Sequence, residues 1–149
     1  MDISLRLYNG VVHIPTPYLV EEDGFFVDNR PLESVPVEQT EALRQAIMTA
    51  IERANPPISR DQARALLHSK DDPLLKATGA RSWYVLDRQT TGLWSIDVKN
   101  GAYEIRVYQP IKPRGWNEDK TKRVQFLPGT AVDDVIARLI AMIQERARQ

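Results

Sequence analysis

Apolar and polar residues alternate along four short segments of the chain, with the two-residue period of half-buried β-strands. These segments are Ile3–Tyr8, Val11–Ile14, Leu93–Val98 and Tyr103–Tyr108. Asn9-Gly10 joins the first pair and Asn100-Gly101 joins the second. Since Asn-Gly readily supplies the positive φ angles of a tight turn, the pattern predicts two β-hairpins.

Two longer segments carry apolar residues at three- and four-residue steps, which is typical of a helix with one buried face. The first runs from Val37 to Ala54, and its apolar residues are Leu43, Ala46, Ile47, Ala50 and Ile51. The second follows Pro128-Gly129, and its apolar residues are Val132, Val135, Ile136, Leu139, Ile140 and Ile143. Thr130 is the predicted N-cap of this second helix, with Asp133 assisting at the third position.

Further short strands are predicted at Phe25–Val27, Leu32–Val35 and Val124–Leu127. A turn at Asp28–Pro31 separates the first two. Pro15 and Pro17 are expected to end the second strand of the first hairpin, because proline has no amide hydrogen to donate to a neighbouring strand.

The middle of the chain, residues 55–92, is predicted to hold short helices. Ser59 caps one that extends to Leu67, and a second begins at Asp71-Asp72-Pro73 and ends at Gly79. Ser82–Asp87 remains open between strand and helix: its aromatic and β-branched residues favour a strand, whereas Ser82 could cap a helix.

Both ends of the chain thus have a hairpin, a strand and an amphipathic helix. We predict a single α+β domain over residues 1–149, with a mostly antiparallel sheet built from two hairpin-strand-helix halves and helices packed on one face. An internal duplication of residues 1–54 and 93–147, joined by the connector 55–92, is a further hypothesis, because a 91-residue shift aligns the two Asn-Gly turns.

Charge is balanced overall but unevenly distributed. The chain has 20 basic and 20 acidic residues, yet residues 1–45 hold eight acids against three bases. The neutral total argues against a general nucleic-acid binder, and the asymmetry favours a charged partner surface. We also expect a cytoplasmic protein, because the N-terminus lacks a signal-peptide pattern and no apolar run approaches a membrane span.

Residues that carry enzymatic chemistry are sparse. The absence of cysteine excludes disulfides, thiolate metal sites and cysteine nucleophiles. His13 and His68 are the only histidines and are not spaced as metal ligands. We therefore expect no catalytic residues, no metal and no cofactor, do not expect a small-molecule ligand, and interpret the acidic run Glu21-Glu22-Asp23 as a solvated loop.

Two surface features are candidates for binding a partner. One is the acidic segment Glu21–Glu41, which has seven acids against Arg30 alone. The other is the long connection Pro110–Lys120, which contains Arg114 and Trp116. Loops of this length are usually functional or disordered, and Trp and Arg are common interface anchors.

Several short patterns resemble the immunity proteins of bacterial contact-dependent growth inhibition systems. They comprise Leu7–Pro15, Ser82-Trp83, Trp94-Ser95-Ile96, Tyr103-Glu104-Ile105, Gly115-Trp116 and Leu127–Thr130. The resemblance implies a cytosolic antidote that binds the C-terminal toxin domain of an effector and blocks its active site. Such toxins are often nucleases with basic grooves, which an acidic surface would complement.

On this interpretation we expect Arg114 and Trp116 to anchor the toxin and four acids to steer it, namely Glu21, Glu22, Asp23 and Asp28. The main alternative is a single-stranded nucleic-acid-binding module that uses the basic loop 110–123. A small hydrolase that uses two carboxylates is a second alternative.

Overall fold

A computed structural model describes residues 1–149 and shows an α+β fold with one eight-stranded, mostly antiparallel sheet, which confirms the predicted fold class. The strands are β1 (Asp2–Tyr8), β2 (Val11–Val20), β3 (Phe25–Pro36), β4 (Pro57–Ile58), β5 (Thr90–Lys99), β6 (Ala102–Pro110), β7 (Trp116–Glu118) and β8 (Val124–Gln125). The helices are α1 (Thr40–Arg53), α2 (Arg60–Leu67), α3 (Pro73–Thr78), α4 (Trp83–Gln89) and α5 (Val132–Ala147). None of them is long and apolar enough to span a membrane.

The strand order is β3-β2-β1-β5-β6-β7, with β4 beside β2 and β8 beside β6. The two hairpins therefore meet at the antiparallel pair β1–β5, where Ser4 lies opposite Ser95. The 91-residue shift that aligns the Asn-Gly turns also carries Ser4 onto Ser95, so the halves are arranged about this pair with approximate two-fold symmetry. The internal duplication itself stays a prediction.

The main core lies between the sheet and the two long helices. Ile3, Leu5 and Leu7 project from β1 toward α1 and α5, whose predicted apolar faces are buried almost completely. Each fully buried Leu or Ile contributes about 1.5–3 kcal/mol relative to an exposed one. This burial fixes α1 and α5 side by side on one face of the sheet, as predicted.

The connector helices α3 and α4 lie against the opposite face. Tyr8 packs there with Leu74 and Leu86, and the guanidinium of Arg6 donates to Asp87 at 3.1 Å. Ser82 caps α4 by accepting from the amide of Val85, so the Ser82–Asp87 segment is helical. Only part of this face is covered, and the uncovered part is called the open face below.

The prediction that Pro15 and Pro17 end β2 is wrong, because the strand continues to Val20. β3 pairs along one side of β2, with a register shift at Pro15. On the other side of β2, the amide of Leu19 donates to the carbonyl of Pro56. Residues two positions apart in a strand have the same orientation, so the amide hydrogen that Pro17 lacks would also point away from β3. Both prolines therefore lack an amide hydrogen only at positions of β2 that no longer pair with β1.

The predicted turn at Asp28–Pro31 is also wrong, since these residues belong to the continuous strand β3. Several residues of β3 lie opposite the single residue Pro15 and form a bulge. The turn-forming sequence lies in this bulge, and the chain does not reverse direction.

Local caps were predicted with mixed success. Ser59 and Gln62 form a capping box at α2, and Asp72 and Gly79 bound α3, as predicted. Thr130 does not cap α5, because its hydroxyl donates to the carbonyl of Leu127 and helix α5 begins one residue later than this cap requires.

Candidate interaction surface

The acidic turn, residues Glu21–Gly24, connects β2 to β3 at one edge of the sheet. Gly24 closes it with a φ of 71° and donates to the carbonyl of Val20 at 2.8 Å. Arg60 binds the Asp23 carboxylate through two nitrogens at 2.7 and 3.0 Å, and these hydrogen bonds lower the pKa of Asp23. Glu22 accepts from the Arg60 amide, whereas Glu21 is exposed and forms no ion pair. The turn is therefore held rigid at one end of α2.

Two phenylalanines follow the acidic turn directly. Phe25 is 43% exposed and Phe26 is 40% exposed. Because successive side chains of a strand point to opposite faces, the two rings flank the tip of the β2–β3 hairpin. Phe26 shares the open face with Asp28, two residues along the same strand. Exposed aromatic rings beside carboxylates are a combination that sequence periodicity did not single out.

Asp28 lies on β3 opposite Pro17. The residue is exposed, but the surrounding protein removes enough water from its carboxyl to raise the pKa to about 6, and Asp2 and Asp72 raise it further against the opposing effect of Arg6. A cation that approaches the Asp28 carboxyl would lower this raised pKa and so stabilise the ionised form.

A row of three carboxylates crosses the open face farther along the sheet. Asp2 on β1 lies opposite Asp97 on β5, and Asp97 lies opposite Glu104 on β6. Asp97 and Glu104 are buried, and Asp2 is half-buried. Burial raises the pKa of Asp2, and Asp97 adds to this effect.

Two arginines compensate this row. Arg106 lies 3.0 Å from Asp97, 3.5 Å from Glu104 and 3.4 Å from Glu118. Arg123 pairs with Glu118 and with Glu104, whose Oε1 lies 2.9 Å from Nε as an ion pair rather than a hydrogen bond. The network orders the β6–β8 end of the open face.

Arg114 and Trp116 lie at the far edge of the sheet, Arg114 on the connection from β6 to β7 and Trp116 at the start of β7. Arg114 is exposed, whereas Trp116 is half-buried and its indole nitrogen is enclosed without a hydrogen-bond partner. Six strands at about 4.8 Å spacing place this edge about 24 Å from β3. The structure thus keeps the predicted anchors apart from the predicted steering acids.

The acidic segment Glu21–Glu41 is dispersed by folding. Glu33 pairs with Arg53 of α1, and Glu41 pairs with Arg44. Only the acidic turn and Asp28 remain near the two phenylalanines. The sequence pattern therefore identified the acids that stay together, but it included others that α1 neutralises.

The carboxylate row was missed, although the sequence contained a signal for it. A two-residue turn at Asn100-Gly101 pairs Asp97 with Glu104 by counting outward from the turn. What could not be counted is the pairing of Asp2 with Asp97, since these residues are 95 positions apart. No group of three or more His, Cys, Asp or Glu side chains is arranged to hold a metal ion.

The chain matches no model of a known protein family and no curated protein. Among solved structures, its fold is similar to that of a protein of unknown function from Neisseria meningitidis. The TM-score is 0.64 and the sequence identity is 13%, over 91% of this chain and 88% of that chain. Such a likeness shows the fold alone.

Proposed function

We propose that this protein is a cytoplasmic immunity protein of a contact-dependent growth inhibition system, which binds and neutralises a cognate C-terminal toxin domain, expected to be a nuclease. The observation that carries the proposal is the position of Phe25 and Phe26 beside the acidic turn and Asp28. Together these residues form what we call the hairpin patch.

The hairpin patch combines the two components that tight protein recognition requires. Aromatic side chains that become buried in a partner supply much of the binding free energy. Surrounding carboxylates accelerate the encounter with a basic partner and fix its orientation. Arg60 holds Asp23 in place before binding, so little side-chain freedom is lost at that position.

Inhibition on this proposal needs no reaction by the immunity protein. A nuclease groove is basic because it binds phosphates, and the carboxylates of the hairpin patch compete for the same groups. Phe25 and Phe26 then bind apolar surface beside the groove. Substrate is excluded because both ligands cannot occupy the groove together.

The test begins with the effector gene expected next to the gene for this chain. Its C-terminal domain is expressed alone and together with this protein, and growth and complex formation are measured. We expect growth arrest by the toxin alone and rescue with a stable one-to-one complex. Toxicity that persists at equal expression, or failure of the two purified proteins to associate, would refute the proposal.

A matched pair of variants assigns the surface. Phe26→Ala removes an exposed aromatic ring of the hairpin patch, and Leu127→Ala removes an exposed apolar side chain, 80% exposed, outside it. We expect only Phe26→Ala to weaken the complex. If both variants bind the toxin domain equally well, the interface lies outside the hairpin patch.

A further inference from the structure

A cleft of about 500 Å³ lies between the last turns of α5, the start of β5, the end of β6 and strand β8. β5 and β6 stop pairing beyond Leu93 and Tyr108, and the core is open to solvent at this point. The apolar part of the lining includes Val107, Val124 and Met142, which are only half-buried. The cleft therefore offers apolar surface that no other part of the chain covers.

Cations surround this apolar surface. Arg146 donates to the carbonyl of Thr91 at 2.7 Å and to Gln149 at 2.8 Å, so neutral acceptors fix its guanidinium and leave its charge uncompensated. Arg138 is exposed and forms no ion pair. Lys122 is 3.9 Å from Asp119 and mainly exposed.

The negative charge nearby is small by comparison. Glu145 is the one acidic side chain in the lining, and Arg123, also in the lining, is already paired with Glu104 and Glu118. Arg138 and Arg146 therefore carry two charges that no ion pair compensates, and Lys122 adds a third that Asp119 offsets only at 3.9 Å. This positive excess over Glu145 favours a phosphate monoester, which carries a charge of about −1.5 to −2 at neutral pH.

We infer that this cleft is a second binding site of the protein and binds a nucleotide, either free or as one unit of a single strand. The phosphate lies against Arg138, Arg146 and Lys122, and the base covers the apolar surface at Val107 and Met142. The volume falls within the range of small-molecule sites, about 300–1,000 Å³.

The basic loop 110–123 lies next to the cleft and could bind further nucleotides of a single-stranded nucleic acid. Pro110 lines the cleft and pairs with Trp116 in the adjacent strand β7. Lys112 and Arg114 extend the positive charge outward from this point. A strand whose terminal nucleotide occupies the cleft would place further phosphates along these cations.

The first experiment titrates the isolated protein with adenosine monophosphate and with inorganic phosphate, and follows backbone amides by NMR. We expect shifts concentrated at Gly92, Gln109 and Lys122, and binding at least about tenfold weaker for phosphate, which has no apolar body. Equal affinities, an adventitious response to phosphate alone, or no saturable shifts would overturn the inference.

A pair of charge reversals, one on α5 and one at its C-cap, provides the control. Arg138 lines the cleft and Arg148 does not, and both are exposed. We expect Arg138→Glu to weaken nucleotide binding about fivefold or more and Arg148→Glu less than about twofold, because Arg138 contacts the phosphate and Arg148 does not. Equal losses of affinity in the two variants would indicate a general electrostatic attraction to the positively charged surface and would overturn the proposed binding site.

A pentanucleotide of adenosine distinguishes the two sources. Tighter binding than the mononucleotide, with shifts that extend into residues 110–116, assigns the site to single strands; equal binding confined to the cleft assigns it to free nucleotides. Neither result depends on a toxin, so the outcome is separate from that of the proposed immunity function.

Discussion

The side-chain amide of Asn55 donates a hydrogen bond of 2.9 Å to the carbonyl of Pro17. The same amide donates to the carbonyl of Asp2, and the amide oxygen accepts from the Asp2 backbone. Asn55 therefore replaces the backbone pairing between β1 and β2 where proline cannot supply it. One side chain after α1 thus joins the start of β1 to β2.

Loss of this bridge should destabilise the fold. Asn55→Ala removes three hydrogen bonds between partly buried groups, which together contribute about 2–3 kcal/mol. Chemical denaturation at neutral pH measures the change. Asn117→Ala, which removes one local hydrogen bond at an exposed site, is the control and should alter stability little. Similar stabilities for the two variants would show that water replaces the Asn55 contacts.

Asp28 should make stability fall with rising pH. Its pKa is about 6 in the folded protein against an ordinary value of 3.8, so the folded state holds a proton that the unfolded chain releases. This contribution is fully present below about pH 4 and is lost as the pH rises to about 6.

Asp28→Asn therefore should be more stable than the parent protein at pH 7, by about 1 kcal/mol once screening at this exposed residue is allowed for. The gain should disappear at pH 4. Thermal unfolding at both pH values measures it, and Glu38→Gln, an exposed acid without an ion pair, provides the control. A constant difference across this pH range would contradict the assignment.

Arg106 should be the most costly arginine to remove from the open face. It contacts Asp97, Glu104 and Glu118, and its side chain is only 20% exposed. Arg106→Met leaves these carboxylates with incomplete compensation, at a cost of about 3 kcal/mol. Arg44→Met, which breaks surface ion pairs with Glu41 and Asp133, should have little effect in the same urea titration. A small loss at Arg106 would mean that Arg123 compensates alone.

Gly92 should be intolerant of a side chain. A Cβ atom there would lie 2.2 Å from Cη2 of Trp94, whose ring is buried over this position. Gly92→Ala should cost about 1–3 kcal/mol because the indole must move. Trp94→Phe removes the atoms that clash, so the alanine should cost less in that background. A double-mutant cycle by denaturation tests this, and additive effects would exclude the clash.

Glu21 should act through the rate of association on the proposed function. It forms no ion pair, whereas reversal of Glu22 or Asp23 would also repel Arg60. Glu21→Lys should slow association with the toxin domain about two- to fivefold at low salt and leave dissociation nearly unchanged. Stopped-flow or surface-binding kinetics would show this, with Glu38→Lys as the control. If Glu21→Lys changed only the dissociation rate, electrostatic steering by Glu21 would be refuted.

The predicted elements that proved correct depend on neighbours in sequence. Turns at Asn9-Gly10 and Asn100-Gly101 have the positive φ angles that their residues favour. The stripes of α1 and α5 are buried because helical spacing places their apolar residues on one side. Thr130 failed as a cap because its hydroxyl had an alternative acceptor, the carbonyl of Leu127.

The candidate sites followed the sequence less closely. The acidic turn and Asp28 were identified, but Phe25 and Phe26 were interpreted as an ordinary strand, since exposure cannot be inferred from three residues. Arg138 and Arg146 were not considered as ligands because they are 15 or more residues beyond the basic loop and approach it only when α5 packs on the sheet.

The sequence by itself determined the hairpins, the amphipathic helices and the α+β class, because turn chemistry and periodicity act over a few residues. Only the tertiary structure decided that Asp2 faces Asp97, that the prolines of β2 remain within the sheet, and that α5 forms one wall of a basic cleft. These outcomes depend on which distant strands become neighbours. That choice is made by burial of the whole core, and no local pattern encodes it.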